Sequence, residues 1–589
     1  MNSISPGTGI TIFCREVKGR IAALRLFSAN EELKEFVIPP DAVDGDIYIL
    51  NPDDSGRLAI ESHYGKKHVM NRYIMELDKL HVKISYPPEV AAEVDAIMSV
   101  NPADDPSLHD YTHLPFVTID NEESRDLDQA VYVERHNDDY KIFYAIADAC
   151  YFVRPGSALF SESLKRGASF YLPSFSVPML PRELSEDIIS LNAGVNRRAL
   201  LFIMRIDSSG KAGGTEIKRC IIRSRAKLSY SGVQSFYDNP GQGPLYGQEY
   251  SGSLILLQQA GLLLAATSAG RGVINFERYE LEVRISDDGE SLIYRDQPRS
   301  NAARWNEQVS LLCNMEGVAI AAQLNGSGNN HAQNVFRIHE PPDDSALARL
   351  YEIIRSITAA HSLDPAVWLW KRGSESPGEY LSRLPRSGDK ARITGTIERQ
   401  ILLTNQKSFF SNVPGVHHAL RADLYGRYSS PMREIVGIFS HKELLEKLLI
   451  DPPAPVTQDE TIRDAVIESS NRAKETQRKL DRLVDELVLD QLFAPEAGKT
   501  SGQTFSGTIM GMKDSKMYVL LDSPRIEIKV YTGDIEQAAG CRLTYKFHEL
   551  RSADKSDGPA YRAGDKVELK VLHKDDAGKW RLVPADLSA

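Results

Sequence analysis

The residues best equipped for chemistry lie in FVTIDNEESRDLDQAVYV, where an apolar run leads into Asp120, then Asp126 and Asp128, and a second apolar run follows. Three carboxylates packed so closely repel one another unless a cation lies between them. Hard oxygen ligands at alternating positions of a turn are what Mg²⁺ or Mn²⁺ prefers, so the stretch is a candidate metal site. The spacing alone fits an acidic surface loop between two strands equally well.

The elements that must position this loop come from the rest of the pattern. A chain of 589 residues exceeds a single core, since domains usually run to about 100–200 residues, so about three units are expected. Hydrophobic content of 42% and charged content of 26% are those of an ordinary globular protein. Over residues 1–84 the short runs RIAALRLF, EFVIPP, DIYIL and RLAIES, separated by turn residues, predict a small β-rich unit. YPPEVAAEVDAIM then predicts a helix opening the central unit, residues 85–500, where strands and helices mix without a fixed period. Near its end DETIRDAVIESSNRAKETQRKLDRLVDELVLDQLF predicts a long amphipathic helix whose charges read as a solvated face. From 501 to 589, SGTIMGM, MYVLLD, IEIKVY, DKVELKVLHK and KWRLVP predict a five-stranded OB-fold barrel, a fold that often binds single-stranded nucleic acid. The fold class expected is therefore α+β and multidomain.

The five cysteines are scattered and form no C-x-x-C pair, which predicts free thiols in a reducing compartment. MNSISPGTGITIF lacks the pattern of a signal peptide. LILLQQAGLLLAA, from Leu254, is shorter than the ~20 residues that span a bilayer and reads as a buried helix. A cytoplasmic protein, with no membrane association and no obligate protein partner, is expected. The net charge of −11 argues against a protein that coats nucleic acid through bulk positive charge, and favours an enzyme with a narrow channel.

TIDNEESRDLDQA resembles the signature of the ribonuclease II (RNB) family, a T-I-D followed by D-x-D-D-A. YAIADACYFVRPGSALFSESLKRGASFYLPSFSVPMLPRELSEDIISLNAG resembles the family's next block, from an I-A-D strand through R-G-x-S-x-Y-L-P to S-L-N. NEQVSLLCNMEGVAIA resembles its central helix, with Glu307 and Asn314 at matching polar positions, and VFRIHEPPD resembles its R-x-H-x-x-P-D turn. YGRYSSPMREIVGIFSHKEL resembles its H-F-T-S-P-I-R-R-Y-x-D block. The resemblance implies an RNB catalytic domain over 85–500 and a 3′→5′ exoribonuclease that threads single-stranded RNA to a Mg²⁺ site, with Mn²⁺ able to substitute. Asp120, Asp126 and Asp128 become the acidic cluster holding the metal, with Asp128 and Asp126 catalytic. Arg433 becomes the arginine at the scissile phosphate, and Tyr171 the tyrosine stacked on a base near the 3′ end.

The chain also departs from the family pattern. Gln129 stands at the fourth acidic position, where its carbonyl is expected to serve as a weaker metal ligand. Glu434, Ile435 and Gly437 replace the usual Arg, Tyr and Asp, and Arg427 replaces a usual His. Pro341 and Pro342 occupy the neighbourhood of a second stacking aromatic. The amino-terminal unit leaves room for one degenerate cold-shock-like barrel, or something different, where larger members carry two barrels. An exoribonuclease releasing nucleoside 5′-monophosphates is the expected function. The alternative is a catalytically weakened RNA-binding or regulatory protein that keeps the channel.

Overall fold

A computed structural model describes residues 10–587, apart from 18, 29–30, 35, 54–55, 275, 277–278, 325–332, 453, 500–501, 547 and 555–557. The strands that carry the acidic loop are near-continuous apolar runs, as expected of strands covered on both faces. Phe116–Asp120 leads into the loop, Gln129–His136 leaves it, and Asp139–Ala147 follows through a tight turn in which Asn137 takes φ 57°. The six-stranded sheet continues through Asn196–Ile206 and Ala212–Ser229 to the short strand His109–Asp110. Ala212–Ser229 pairs antiparallel with Asn196–Ile206 along its first part and parallel with Phe116–Asp120 along its last, after a bulge near Ser224. That long strand closes the sheet on itself and places both ends of the acidic loop at one rim.

The helix expected from YPPEVAAEVDAIM spans Pro88–Met98. Helix Ser251–Gly270 is, among the described residues, long and apolar enough to cross a membrane. One face, with Leu254, Leu257, Ala260 and Leu264, is buried in the main core, while Ile255 and Leu262 are exposed. The helix expected to be buried therefore buries one face and exposes the other. Gly261 has a structural reason: a Cβ there would lie 2.4 Å from Trp305 Cβ of the neighbouring helix Asn301–Leu324.

The amino-terminal sheet has the order Arg20–Arg25, Ile10–Val17, Ile47–Pro52, Leu58–Tyr64. The described residues of EFVIPP, 36–40, form no strand. Its prolines Pro39 and Pro40 offer no N–H to a ladder, although Phe36 is still buried and packs 6.2 Å from Tyr48. The strand in its place, Ile10–Val17, lies outside the runs expected to form strands.

At the carboxy end, Phe505–Lys513, Lys516–Leu521 and Glu527–Tyr531 form a meander, and helix Thr532–Ala539 follows. Lys566–Lys574 then returns to pair with the first strand and Trp580–Pro584 with Lys566–Lys574. This is the connectivity of an OB barrel, with a three-stranded sheet inserted before the fourth strand. The expected boundary at 500/501 falls outside the described residues. The long helix Val456–Phe493 runs past the rim that carries the acidic loop to this barrel, where Phe493 packs edge-on against Phe505 and Trp580 at 5.0 and 5.7 Å. One continuous apolar cluster joins its end, the barrel and part of the amino-terminal unit.

Candidate active site

Asp120 ends its strand, and its Oδ1 accepts from the Asn121 amide at 2.7 Å and from Ser124 Oγ at 3.0 Å, so this carboxylate also shapes the turn that follows. The loop is fastened from beneath by the S-L-N segment. Ser190 Oγ accepts from the Leu127 amide at 3.0 Å and donates to the Arg125 carbonyl at 2.8 Å, while the Leu191 amide donates to the Leu127 carbonyl at 3.0 Å. With Leu127 buried between them, Asp126 and Asp128 are presented in fixed directions.

Asp128 is the buried one. Its Oδ1 accepts from the Met432 amide at 2.9 Å and its Oδ2 from Arg433 Nε at 2.7 Å, across 305 residues of chain. Burial pushes its carboxyl up to about 7, with Arg433 pulling the other way. Burial opposes the charge on Arg433 too, but Asp128, Tyr171, Asp126 and Asp120 together hold it well above its ordinary value. The Arg433 Nη groups make no hydrogen bond among the described residues, and the side chain is 29% exposed. One edge of the fork is thus anchored and the other left open.

Asn314 on helix Asn301–Leu324 sets the position of the SSPMR loop. Its Oδ1 accepts from the Tyr428 and Ser429 amides at 2.6 and 3.1 Å, and its Nδ2 donates to Ser429 Oγ and Tyr425 Oη at 3.1 Å. Glu307, the other polar position of that helix, pairs with Arg299 at 2.8 Å. Gly437 follows from packing. A Cβ there would lie 2.8 Å from Pro431 Cα, so the aspartate usual in the family does not fit this loop. The departures at 427 and 434 explain each other, because Arg427 and Glu434 form a bidentate pair at 2.8 and 3.1 Å.

Tyr171 projects beside the acids, 45% exposed, with its hydroxyl donating to Asp126 Oδ2 at 3.3 Å. Its backbone is held by Gln477 of the long helix, which accepts from its amide at 2.9 Å and donates to its carbonyl at 2.8 Å. That helix face is therefore part of the site, where the sequence read only solvated charge. Burial pushes the Asp126 carboxyl up, with Arg433 opposing.

Gln129 is held at both ends of its amide. Its Oε1 accepts from Tyr144 Oη at 2.6 Å and from Ser310 Oγ at 3.4 Å, and its Nε2 donates to the Ser429 carbonyl. Both ends of the amide tie the sheet to the central helix and to the SSPMR loop, and its carbonyl, expected as a weaker metal ligand, accepts from hydroxyls in this structure. Among the described residues, the three acids whose oxygens converge within 4.8 Å are Glu443, Glu446 and Asp459, not the aspartates of the loop. Lys442 Nζ already sits among them at 2.8, 3.0 and 2.6 Å, so an ammonium occupies the place between these three oxygens. Asp120, Asp126 and Asp128 face one guanidinium, so the loop retains negative charge that suits a divalent cation.

A closed mixed sheet with an acidic loop at its rim, completed by an arginine from a distant loop and extended by a carboxy-terminal barrel, is an α+β multidomain fold, the class expected. The RNB domain family matches residues 108–449, and the chain belongs to that family. Nucleases of the family are metal-dependent hydrolases. The chain is 26% identical over 475 residues to ribonuclease R of Vibrio cholerae, covering 79% of this chain and 55% of that protein. It is 29% identical over 387 residues to exoribonuclease 2 of Cronobacter sakazakii, covering 65% of this chain and 56% of that protein. It thus spans little more than half the length of these relatives. The structure superposes on Mycoplasma genitalium RNase R, solved with ribose-methylated single-stranded RNA, with a TM-score of 0.78 at 17% identity, over 98% of this chain and 89% of that one.

Proposed function

We propose that this chain hydrolyses single-stranded RNA from its 3′ end, releasing nucleoside 5′-monophosphates. The observation that carries the reading is Arg433, fixed by Asp128 at 2.7 Å with its Nη edge open beside Asp126 and Tyr171. A planar fork held by one nitrogen can offer its other donors to the oxygens of a scissile phosphate without first losing rotamer freedom. Tyr171, exposed and backbone-locked, supplies a stacking face that accepts any base. Asp120 and Asp126, with Asp128, are the residues that would hold Mg²⁺, or Mn²⁺ in its place. When bound, the ion supplies charge stabilisation at the phosphate and lowers the pKa of a water. Asp128 also positions Arg433, while Ser190 and Leu191 keep the acidic loop from spreading.

The carboxy-terminal barrel, over about residues 501–589, supports binding of the upstream strand, and the relatives' names and the RNA in the superposed structure agree with that substrate. We take the cytoplasm as the compartment, which the five unpaired thiols support. The test is a 5′-labelled single-stranded RNA incubated with Mg²⁺, Mn²⁺ or EDTA. A ladder shortening from the 3′ end in either metal, with none in EDTA, is expected. RNA that is bound but stays full length in both metals would instead identify a protein that has kept the fold and lost the reaction.

A further inference from the structure

A second concentration of charge lies on the far side of Glu434 from the acidic loop. Arg427 grips Glu434 bidentately. Arg337, on the short strand Phe336–Ile338, directs Nε and Nη2 at Ser408 Oγ, each at 3.4 Å. Lys474, on the long helix, donates to the same Ser408, at 2.9 Å to its carbonyl and 3.1 Å to its Oγ. The Phe410 ring lies beneath both cations, at 5.9 and 5.2 Å. Arg478, one helical turn beyond Lys474, is within electrostatic reach of Lys474 and Arg337.

The count of charges is unbalanced. Arg337, Arg427 and Lys474 gather here with Arg478 within electrostatic reach, and among the described residues Glu434 is the one carboxylate within ion-pair distance of any of them. Recessed cations are normally paired, because removing them from water without a counter-ion is costly. Here they disfavour one another. Burial, then Arg337, Arg478 and Arg427, pull Lys474 down to about 7 against the attraction of Glu434, and burial with Arg427 lowers Arg337. Yet Arg427 and Glu434 remain 23% and 27% exposed, so the recess is open to solvent. An anion entering it would relieve the imbalance.

We propose that Arg337, Arg427, Lys474 and Arg478 form a second phosphate subsite, which takes a backbone phosphodiester of the RNA strand while Glu434 fills it when RNA is absent. The proposal rests on the RNA reading given above. Position favours a strand over a free ion. Glu434 follows Arg433 directly and bridges to Ala168, while the Ser169 amide donates to the Arg433 carbonyl at 2.9 Å, so Arg433 and the Glu434 that holds Arg427 share one segment. Gln477, between Lys474 and Arg478 in sequence, holds Tyr171. One helix face therefore connects the stacked base to the cluster. Glu434, by competing for Arg427, lowers affinity and lets each phosphate leave as the strand advances.

The test measures binding of a fluorescent single-stranded RNA to the full chain in EDTA over a KCl series, with thermal unfolding as the check on folding. Lys474→Met with Arg478→Gln should weaken binding about tenfold and reduce the salt slope by about one or more, as expected for a lost phosphate contact. Lys479→Met, on the exposed face of the same helix, should do neither. Glu434→Gln should tighten binding and steepen the slope. An unchanged affinity and slope in the double variant, or weaker binding in Glu434→Gln, would overturn the proposal. If the full chain binds no RNA, the proposed function fails first, and inorganic phosphate then decides the cluster. A rise in Tm with phosphate that Lys474→Met abolishes would retain it as a phosphate site, and no rise would remove it.

Discussion

Restoring an acid at position 129 is the substitution that separates sequence logic from structural logic. By charge alone, Gln129→Asp should strengthen the metal site. In the structure, the Gln129 amide donates to the Ser429 carbonyl and accepts from Tyr144 and Ser310. An aspartate is one methylene shorter and has no N–H to give. It loses the donor to Ser429, whose carbonyl then faces a carboxylate instead of an amide. A buried acceptor left without its partner costs about 1–3 kcal/mol, and the added charge brings a further unfavourable contact with that carbonyl. Ser429 stands four residues before Arg433, so displacing it moves the guanidinium, and a small misplacement at a reacting centre can cost about 10²-fold in rate. The expected outcome is a Tm lower by a few degrees, a slower reaction, and a Mg²⁺ concentration for half-maximal rate that is unchanged or higher. Metal titrations of hydrolysis, beside thermal unfolding of both proteins, measure all three. A lower half-maximal Mg²⁺ concentration with unchanged Tm would refute the reasoning and return position 129 to the metal site.

Asp128→Asn should abolish hydrolysis while RNA binding survives, because the lost charge frees Arg433 from its anchor and leaves the channel walls in place; turnover near wild type would show that the pair is not catalytic. Tyr171→Ala should weaken RNA binding by about 1–3 kcal/mol and Tyr171→Phe should not, since the stacking face is lost only in the first and the hydroxyl contact at 3.3 Å is long; equal losses in a binding titration would contradict this. Gly437→Ala should lower both stability and activity by displacing Pro431, by about 1–3 kcal/mol in stability, as read by thermal unfolding and the RNA ladder. Lys474 carries a pH signature. Its folded pKa is lowered to about 7 and its ordinary value is 10.5, so between these values the unfolded chain binds the extra proton, and stability from this group rises with pH across that window. Arg337, Arg427, Arg478 and Glu434 surround it, with Ser408 and Phe410 beneath and His339 and His417 nearby, both held below their ordinary values chiefly by burial. Lys474→Met should therefore stabilise the chain most below pH 7 and progressively less toward pH 10, and a difference that stays flat with pH would remove the charge explanation.

Some of this protein is decided by local sequence. Strand–acid–strand spacing around Asp120, Asp126 and Asp128, the proline-led helix Pro88–Met98 and the five carboxy-terminal strands all depend on residues close together in the chain, where periodicity and turn chemistry act directly. The motifs around Arg433 and Tyr171 single those residues out, and the fold brings both beside Asp126 and Asp128. What only tertiary structure decides is where a side chain with several partners within reach spends its hydrogen bonds. Gln129 looks like a diluted ligand beside Asp128, yet Tyr144 and Ser429 turn it into a brace, and they come from another strand and from 300 residues away. Glu434 and Arg427 look like two separate losses until they form one ion pair. Lys474, Gln477 and Arg478 have the polarity of a solvated helix face. They become part of the site because the long helix lies against Tyr171 and Ser408, a packing fixed by distant apolar contacts such as Phe493 with Phe505 and Trp580 that no local pattern records.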